Sequence, residues 1–413
     1  MAQAFFGGVH PHDMKAATNE KAIEQLAPPA VVVIPMSMHF GAPCTPLVKA
    51  GDHVKVGQKI GEFHGLGAPI HASVSGTVKA VEPRPYSMGG NITSVVIEND
   101  MQDEVSEEVQ APADPNALSV EEMVEIVKNA GIVGMGGATF PTHVKITSGI
   151  GKVNTVIING AECEPYITGD HRTMLERPEE IIGGAKFLAK MFGVDKVVIG
   201  VEDNKRNGID AMNKVIAEQK APVVVEPLRC RYPQGGEKQL CQAITGRQVP
   251  PGGLPADIGC AVFNINTTCA IYRALTTGMP VVRKIVTVSG SGVVEPKNLE
   301  CPIGTPVSSL LDACGGLKDG TYKLIAGGPM MGMAQYTADI SVAKGTGAIL
   351  AFCENEEKTV ENPQCIRCGK CVSVCPMHLE PLFMYQYASK GMVEELNDAH
   401  IMDCMECGAC SYI

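Results

Sequence analysis

The chain has 413 residues, of which 45% are hydrophobic, and it carries a formal net charge of −11 at pH 7. This length suits about three domains, and the negative charge argues against nucleic-acid binding, which needs a basic surface. Sixteen cysteines, with no secretory signal and no apolar run long enough to span a membrane, predict metal or redox chemistry in a cytoplasmic protein rather than disulfide bonds.

The N-terminal residues 1–100 contain two similar stretches, "VKAGDHVKVGQKIGE" and "APIHASVSGTVKAVE". Short alternating segments separated by glycine turns predict two half-barrels. The pair resembles the barrel-sandwich hybrid of lipoyl and biotinyl carriers. However, the hairpin "FHGLGAPIHA" lacks the lysine that those carriers modify. We therefore expect a structural or docking role for this module and not a covalent swinging arm.

Residues 101–117 are acidic and poor in apolar side chains, so they are predicted to be a linker. Ser119 and Glu122 then form a predicted capping box ahead of the helix "VEEMVEIVKNA". Over residues 118–279, strand patterns such as "VNTVIING" alternate with helix patterns such as "PEEIIGGAKFLAKMFG". This alternation predicts a mainly parallel α/β sheet, whose ligands usually lie beyond the carboxyl ends of the strands.

The loops at that edge of the predicted sheet are rich in glycine and polar residues. "GIVGMGGATFPTHVK" follows a helix and so differs from the dinucleotide fingerprint, although bare glycine backbone lets amides approach a phosphate or a flat ring. An ordinary turn is the alternative interpretation. Three further loops follow predicted strands or precede helices: "NGAECEP", "RYPQGGEKQL" and "NINT".

Residues 280–355 predict short strands around one helix, including the methionine-rich segment "GGPMMGM". That segment is expected either to contact a partner or the ligand pocket, or simply to pack a small core.

Residues 356–413 contain the spacing C-x2-C-x2-C-x3-C-P, followed by a second C-x2-C-x2-C triplet. This spacing is typical of ferredoxin [4Fe–4S] clusters, in which the fourth cysteine ligates the other cluster. A zinc site is the alternative, but zinc motifs usually use two separated pairs. The predicted ligands are Cys365, Cys368, Cys371, Cys375, Cys404, Cys407 and Cys410. With ligands exchanged, Cys375 completes the second triplet. The first triplet lacks a fourth ligand before Ile413, so we expect a [3Fe–4S] or labile cluster there.

Taken in order, the motifs "GMGGATFPTHVK", "NGAECEP", "YPQGGEKQL" and "NINT" resemble the flavin subunit of respiratory complex I. With the N-terminal "GGVHP", the barrel and the two cysteine motifs, the chain is similar over nearly its whole length to the RnfC family. The resemblance implies a multidomain α/β protein: a barrel-sandwich hybrid, a Rossmann-like FMN domain, an SLBB β-grasp module and a helical ferredoxin-like dicluster domain.

The resemblance also implies cofactors, FMN and two [4Fe–4S] clusters, with NADH as substrate. It assigns contacts with the flavin or the nucleotide to Gly134, Gly136, Gly137, Phe140, Lys145, Asn159, Glu162, Glu164, Tyr232, Gly235, Glu237, Asn264, Asn266 and Thr267. Within this set, Asn264, Asn266 and Thr267 hold the phosphate end, and the three glutamates face the nucleotide. Met135, Ala161 and Gly236 depart from the complex I pattern, which affects the expected contacts with NADH.

The function that this resemblance implies is the NADH dehydrogenase module of the Rnf complex. It exchanges electrons between NAD(H) and ferredoxin on the cytoplasmic side of the membrane, as a peripheral subunit bound to integral and peripheral partner subunits. Those partners couple the transfer to Na⁺ or H⁺ translocation. The alternatives are a cobalamin reductase of the propanediol-utilisation type and a non-catalytic electron-relay scaffold.

Overall fold

The computed structural model describes residues 5–354 and 364–413. The predicted boundary between residues 355 and 356 lies outside the described residues. In the N-terminal module the strands are β1 (Ile23–Gln25), β2 (Val31–Pro35), β3 (Thr45–Pro46), β4 (His53–Val54), β5 (Lys59–Glu62), β6 (Ile70–His71), β7 (Gly76–Pro85) and β8 (Asn91–Asn99). Strands β2-β8-β7-β4 and β3-β5-β6 form two antiparallel sheets. The two sheets enclose a core that includes Val32, Ile34, Val54 and Ile60, so the predicted barrel-sandwich module is present.

The acidic segment after the barrel is packed against it. The amide of Val56 donates to the carbonyl of Glu104 at 2.8 Å, and the amide of Ser106 donates back to Val56 at 2.9 Å. Lys55 pairs with Glu104 at 2.8 Å and with Glu107 at 2.5 Å. The predicted linker therefore extends one edge of the barrel before the chain enters the next domain.

The central domain contains eleven of the helices and strands. They are α1 (Val120–Asn129), α2 (Thr142–Gly149), β9 (Thr155–Gly160), α3 (Gly169–Glu176), α4 (Pro178–Phe192), β10 (Val197–Glu202), α5 (Arg206–Gln219), β11 (Val223–Leu228), α6 (Glu237–Thr245), β12 (Cys260–Asn264) and α7 (Ile265–Thr277). The four strands are parallel, in the order β11-β10-β9-β12. The predicted parallel α/β sheet is confirmed.

Local signals in this domain form the predicted caps. Ser119 and Glu122 make the reciprocal hydrogen bonds of a capping box at the start of α1. Gly193 and Gly246 end α4 and α6 in the left-handed conformation, which glycine adopts at little cost. These helices thus begin or end where the sequence predicts.

The third domain is a mixed sheet with one helix among its described residues. Its elements are β13 (Arg283–Ser289), β14 (Lys297–Pro302), α8 (Val307–Ala313), β15 (Thr321–Ala326), β16 (Met333–Gln335) and β17 (Ala348–Cys353). The strand order is β1-β14-β13-β17-β15-β16, so β1 from the start of the chain forms one edge. The N-terminal segment therefore belongs structurally to two domains.

The C-terminal domain consists of short helices between and beside the cysteines: α9 (Lys370–Val374), α10 (Pro381–Ser389), α11 (Val393–Asp398) and α12 (Ala409–Tyr412). The predicted helical connection between the two cysteine motifs is confirmed by α10 and α11. Among the described residues, no helix combines the length and the hydropathy needed to cross a bilayer.

Buried contacts join the domains. The ammonium of Lys344, from the third domain, is 1% exposed and donates to the carbonyls of Pro69 in the barrel and Gly131 in the central domain. Burial lowers the pKa of Lys344 to about 7. These two bonds fix all three domains around the loop that follows α1.

Candidate functional site

The site lies where the connection order of the central sheet reverses. From β9 the chain passes to β10 and β11 on one side, and then returns to β12 on the other. Asn159 and Asn264 lie at the ends of β9 and β12, and they are direct partners in the parallel register. In open parallel sheets, the carboxyl ends of the strands on either side of such a reversal leave a crevice for a ligand.

The glycine loop borders this crevice. The loop closes on itself, because the amide of Gly134 donates to the carbonyl of Phe140 at 2.9 Å. A Cβ atom at Gly136 would lie 2.9 Å from the side-chain nitrogen of Asn264, so a larger residue would displace that side chain. A Cβ at Gly137 would have no neighbour within 4 Å. The loop therefore presents bare backbone to open space at the sheet edge.

A hydroxyl and an ammonium group tie the glycine loop to its neighbours. The hydroxyl of Thr267 accepts from the amide of Met135 at 2.9 Å and donates to the carbonyl of Val133 at 3.1 Å. Buried Lys284, from β13, donates to the carbonyl of Met135 at 3.2 Å. Burial lowers the pKa of Lys284 to about 8, although nearby Asp170 opposes this change. The loop is thus held from two domains.

Asp170 organises the asparagines that were predicted to hold the phosphate end. Its carboxylate accepts from the side-chain amide of Asn264 at 2.8 Å and from that of Asn266 at 2.5 Å. Burial raises the pKa of Asp170, while the charge of Lys284 and both amides oppose this change. The side-chain oxygen of Asn264 caps α7 by accepting from the amides of Asn266 and Thr267. The sequence alone did not single out Asp170.

Lys145 brings positive charge to the same edge. Its ammonium donates to the carboxylate of Glu237 at 2.6 Å and to the carbonyl of Val262 at 3.0 Å. The pair joins α2 to the first turn of α6, and both side chains are partly exposed. Lys145 and Glu237, predicted to contact the flavin and the nucleotide, are therefore adjacent.

The two other predicted glutamates are held by backbone amides. Glu162 accepts from the amides of Asp170 at 2.6 Å and His171 at 3.2 Å, at the start of α3. Burial raises the pKa of Glu162 to about 7, against the opposing charge of Lys15. Glu164 accepts from the amides of Met330 and Met331, in the methionine-rich segment of the third domain. Their predicted orientation toward the nucleotide stays a prediction.

The loop that contains Tyr232 and Gly235 connects this edge to the cysteine domain. Asn159 donates to the carbonyl of Gly235 at 2.8 Å. Tyr232 is 2% exposed, and its hydroxyl donates to the carbonyl of Cys407 at 2.7 Å. The side chain of Gln239, in the helix that follows, donates to the carbonyl of Pro376 at 3.3 Å. This segment therefore contacts the sheet edge on one side and both cysteine motifs on the other.

The second cysteine triplet lines part of a cavity of about 400 Å³. The cysteines that line this cavity are Cys375, Cys404, Cys407 and Cys410. Thus the structure brings the fourth cysteine of the first motif to the second triplet, as ligand exchange requires, whereas Cys365, Cys368 and Cys371 do not line the cavity. In residues 5–354 and 364–413, no three His, Cys, Asp or Glu side chains are grouped as ligands of a metal ion.

Comparison with known proteins decides the family. The chain is 46% identical over 401 residues to a subunit of the Na⁺-translocating ferredoxin:NAD⁺ oxidoreductase complex of Acetobacterium woodii, covering 97% of this chain and 90% of that protein. It is 44% identical to the corresponding subunit of the proton-translocating complex of Clostridium ljungdahlii, covering 97% and 88%. The RnfC barrel-sandwich hybrid domain matches residues 3–102. The chain belongs to the RnfC family.

The other domains of this RnfC chain also match families individually. The Nuo51 FMN-binding domain matches residues 127–273. The SLBB domain matches residues 285–334, and the 4Fe-4S dicluster domain matches residues 358–413. These matches confirm the predicted domain types and the predicted cofactors, FMN and [4Fe–4S].

A solved structure shows the same fold at low sequence identity. The NAD⁺-reducing [NiFe]-hydrogenase in its H₂-reduced state aligns with this RnfC chain with a TM-score of 0.52 and 18% identity. The alignment covers 72% of this chain and 60% of the hydrogenase chain. A longer relative belongs to the ion-translocating oxidoreductase complex of Vibrio cholerae and is 38% identical to this chain. The alignment covers 97% of this chain and 52% of that relative.

The structure of this RnfC chain adds contacts that the sequence did not reveal. The N-terminal segment packs between the two halves of the site: the amide of Gly8 donates to Val374 at 2.7 Å, and Val9 pairs with Tyr232. Cys163 lies in the same apolar cluster and accepts from the amide of Gly235 at 3.3 Å. The sequence motif "GGVHP" contains Gly8 and Val9, but nothing in the motif indicates that they contact Val374 and Tyr232.

Proposed function

We propose that this chain passes electrons from NADH, through FMN at the β9–β12 edge, to the cluster held by Cys375, Cys404, Cys407 and Cys410. The single observation that carries this route is the loop that joins Asn159, through Gly235 and Tyr232, to Cys407. One loop thereby links the predicted flavin edge to a predicted cluster ligand. The chain is an oxidoreductase subunit of the ferredoxin:NAD⁺ type.

The residues at the sheet edge fit FMN. Gly136 and Gly137 leave backbone and open space for a flat ring, and Lys145 supplies a positive charge. At the start of α7 the amides of Asn266 and Thr267 donate to the side chain of Asn264, and the family resemblance assigns the phosphate end of FMN to these three residues. FMN supplies the conversion between a two-electron hydride donor and one-electron acceptors. The chain positions that group and brings the cysteine domain close to it.

The first cysteine triplet is assigned to the second cluster. Cys365, Cys368 and Cys371 have the spacing that holds three iron atoms of one cubane. This assignment leaves Cys375 to the cavity at the second triplet, so the two clusters depend on different cysteines.

The chain acts as one subunit of a membrane complex. We assign it to the cytoplasmic side as a peripheral subunit, and we assign ion translocation to integral partner subunits. Its relatives include members of a Na⁺-translocating and a proton-translocating complex. Ferredoxin exchanges electrons with the complex at the other end of the route.

Gly137 gives a direct test of the flavin position. Because a Cβ atom there would have no protein atom within 4 Å, we expect Gly137→Val to leave the packing intact unless a ligand uses the space. We expect the variant to lose bound FMN and NADH-dependent ferricyanide reduction, with an unchanged unfolding temperature. Full flavin occupancy in Gly137→Val would place the flavin elsewhere.

A further inference from the structure

Phe40 of the barrel domain contacts the glycine loop of the flavin domain. The backbone amide of Phe40 donates to the carbonyl of Thr139 at 3.1 Å. The ring of Phe40 lies 6.0 Å from the ring of Phe140, at an interplanar angle of 35°. Thr139 has a left-handed backbone with φ of +51°. A barrel residue is thus placed beside a residue that the family resemblance assigns to the nucleotide site.

Phe40 is held on a rigid loop. The neighbouring His39 is buried, and its Nε2 lies 3.3 Å from the thiol of Cys44. The amide of Cys44 donates to the carbonyl of Met36 at 2.6 Å, which closes the loop. Gly41 has φ of +126°, and a side chain there would collide with the carbonyl of Leu66. The position of Phe40 is therefore set by the barrel.

Despite this fixed backbone, the side chain of Phe40 is 57% exposed. A large aromatic ring on a preorganised loop offers a flat apolar face that loses little conformational freedom when a ligand covers it. The purine and pyridine rings of a dinucleotide are flat and stack on such faces. Phe40 and half-buried Phe140 together present two rings next to the open glycine loop.

We propose that the barrel domain completes the nucleotide-binding site, with Phe40 as a stacking residue for an aromatic base of NADH. The inference rests on the proposed function, because it takes NADH as the substrate of this edge. It gives the barrel, which lacks the lysine of carrier domains, a direct part in substrate binding.

The test is steady-state NADH:ferricyanide activity of the FMN-loaded protein and its Phe40→Ala variant. Stacking on an aromatic residue contributes about 1–3 kcal/mol per base, so we expect KM for NADH to rise roughly tenfold. We expect kcat and FMN content to stay unchanged, because the bond from the Phe40 amide to Thr139 survives the substitution. Phe40→Tyr keeps an aromatic ring at this position and should have the same KM for NADH as the unmodified protein.

Two comparisons make the result specific. Leu47→Ala removes another exposed apolar side chain of the barrel, 52% exposed, and should leave KM unchanged. Reduced nicotinamide mononucleotide, which has no adenine, identifies the stacked ring. Its KM should rise in Phe40→Ala if Phe40 stacks on the nicotinamide, and should stay unchanged if Phe40 stacks on the adenine. An unchanged KM for NADH in Phe40→Ala, with an active unmodified protein, would overturn the inference. An inactive FMN-loaded unmodified protein would instead contradict the proposed function.

Discussion

The hydroxyl of Tyr232 donates a 2.7 Å hydrogen bond to the carbonyl of Cys407, 175 residues further along the chain. Tyr232 lies in the loop that contacts the end of β9, and Cys407 lines the cavity of the second cysteine triplet. This bond is a direct link between the predicted flavin edge and a predicted cluster ligand. In the proposed route, electrons pass between the flavin and the cluster near this bond.

Tyr232→Phe tests this link. The substitution leaves a buried carbonyl at Cys407 without its donor, which costs about 1–3 kcal/mol. We expect NADH to bleach the flavin at an unchanged rate, while reduction of the cluster becomes slower. Stopped-flow absorbance for the flavin and freeze-quench EPR for the cluster separate the two steps. Tyr336→Phe, at a side chain that is 75% exposed, is the control and should change neither rate.

Exchange of ligands between the cysteine motifs gives a second prediction. Because Cys375 lines the cavity with Cys404, Cys407 and Cys410, Cys375→Ala should damage the same cluster as Cys407→Ala. The EPR spectrum of reduced Cys375→Ala should then match that of Cys407→Ala and differ from that of Cys368→Ala. A match with Cys368→Ala would show that each motif keeps its own fourth cysteine.

The N-terminal segment is predicted to support the same cluster. Gly7 has φ of +74°, and a Cβ there would lie 2.7 Å from the carbonyl oxygens of Val374 and Cys375. Gly7→Ala should therefore shift the Cys375 loop and lower the iron content of the protein. Gly65→Ala is a matched control, because Gly65 has φ of +72° with no atom within 4 Å of a Cβ. Both variants bear the left-handed backbone cost of roughly 1–2 kcal/mol, but only Gly7→Ala should lose iron. Equal iron contents would exclude a supporting role for this segment.

The junction between the central and third domains should be sensitive to acid. Glu300 in β14 is 5% exposed and accepts two bonds from Arg177, at 2.9 and 2.5 Å. Burial alone would raise the pKa of Glu300, but the bonds from Arg177 and Gln25 and the charge of Arg273 lower it to about 2. A carboxylate with a lowered pKa stabilises the folded state above its unfolded pKa of about 4.3. That contribution is lost as the pH falls from there toward 2.

Glu300→Gln isolates this contribution. At pH 7 the variant should be less stable by roughly 3 kcal/mol, the free energy equivalent of the pKa change. The difference in unfolding midpoint between variant and unmodified protein should shrink steadily as the pH falls below the unfolded pKa of about 4.3. Glu125→Gln, at an exposed helix position paired with Lys128, should show a small difference at every pH. If Glu300→Gln lowers stability by the same amount at every pH, an ionised Glu300 does not account for the effect.

Local patterns were enough to predict several of the helices and strands and some of their ends, although α2 and α3 were not predicted. The capping box at Ser119 and the glycine at Gly193 depend on residues within one helical turn, so the sequence carries the information directly. Cysteine spacing likewise predicts ligand exchange, which stays a prediction, and Cys375 lines the cavity beside the second triplet.

Contacts between distant segments could not be read in the same way. Asp170 was not singled out, because its partners Asn264 and Asn266 lie 94 and 96 residues away and meet it only after the sheet forms. Phe40 was missed for a similar reason, since its approach to Phe140 depends on how the barrel packs against the central domain. Tyr232 was selected through family resemblance, but its bond to Cys407 follows from domain packing.

Electrons are proposed to enter at the flavin and to pass first to the cluster of Cys375, Cys404, Cys407 and Cys410. Freeze-quench EPR after anaerobic addition of NADH to FMN- and iron-loaded protein tests this order most directly. We predict that flavin bleaching comes first, and that the earliest cluster signal is the one missing from Cys407→Ala. Earlier reduction of the cluster missing from Cys368→Ala, or equal reduction in flavin-stripped protein, would contradict the proposed route.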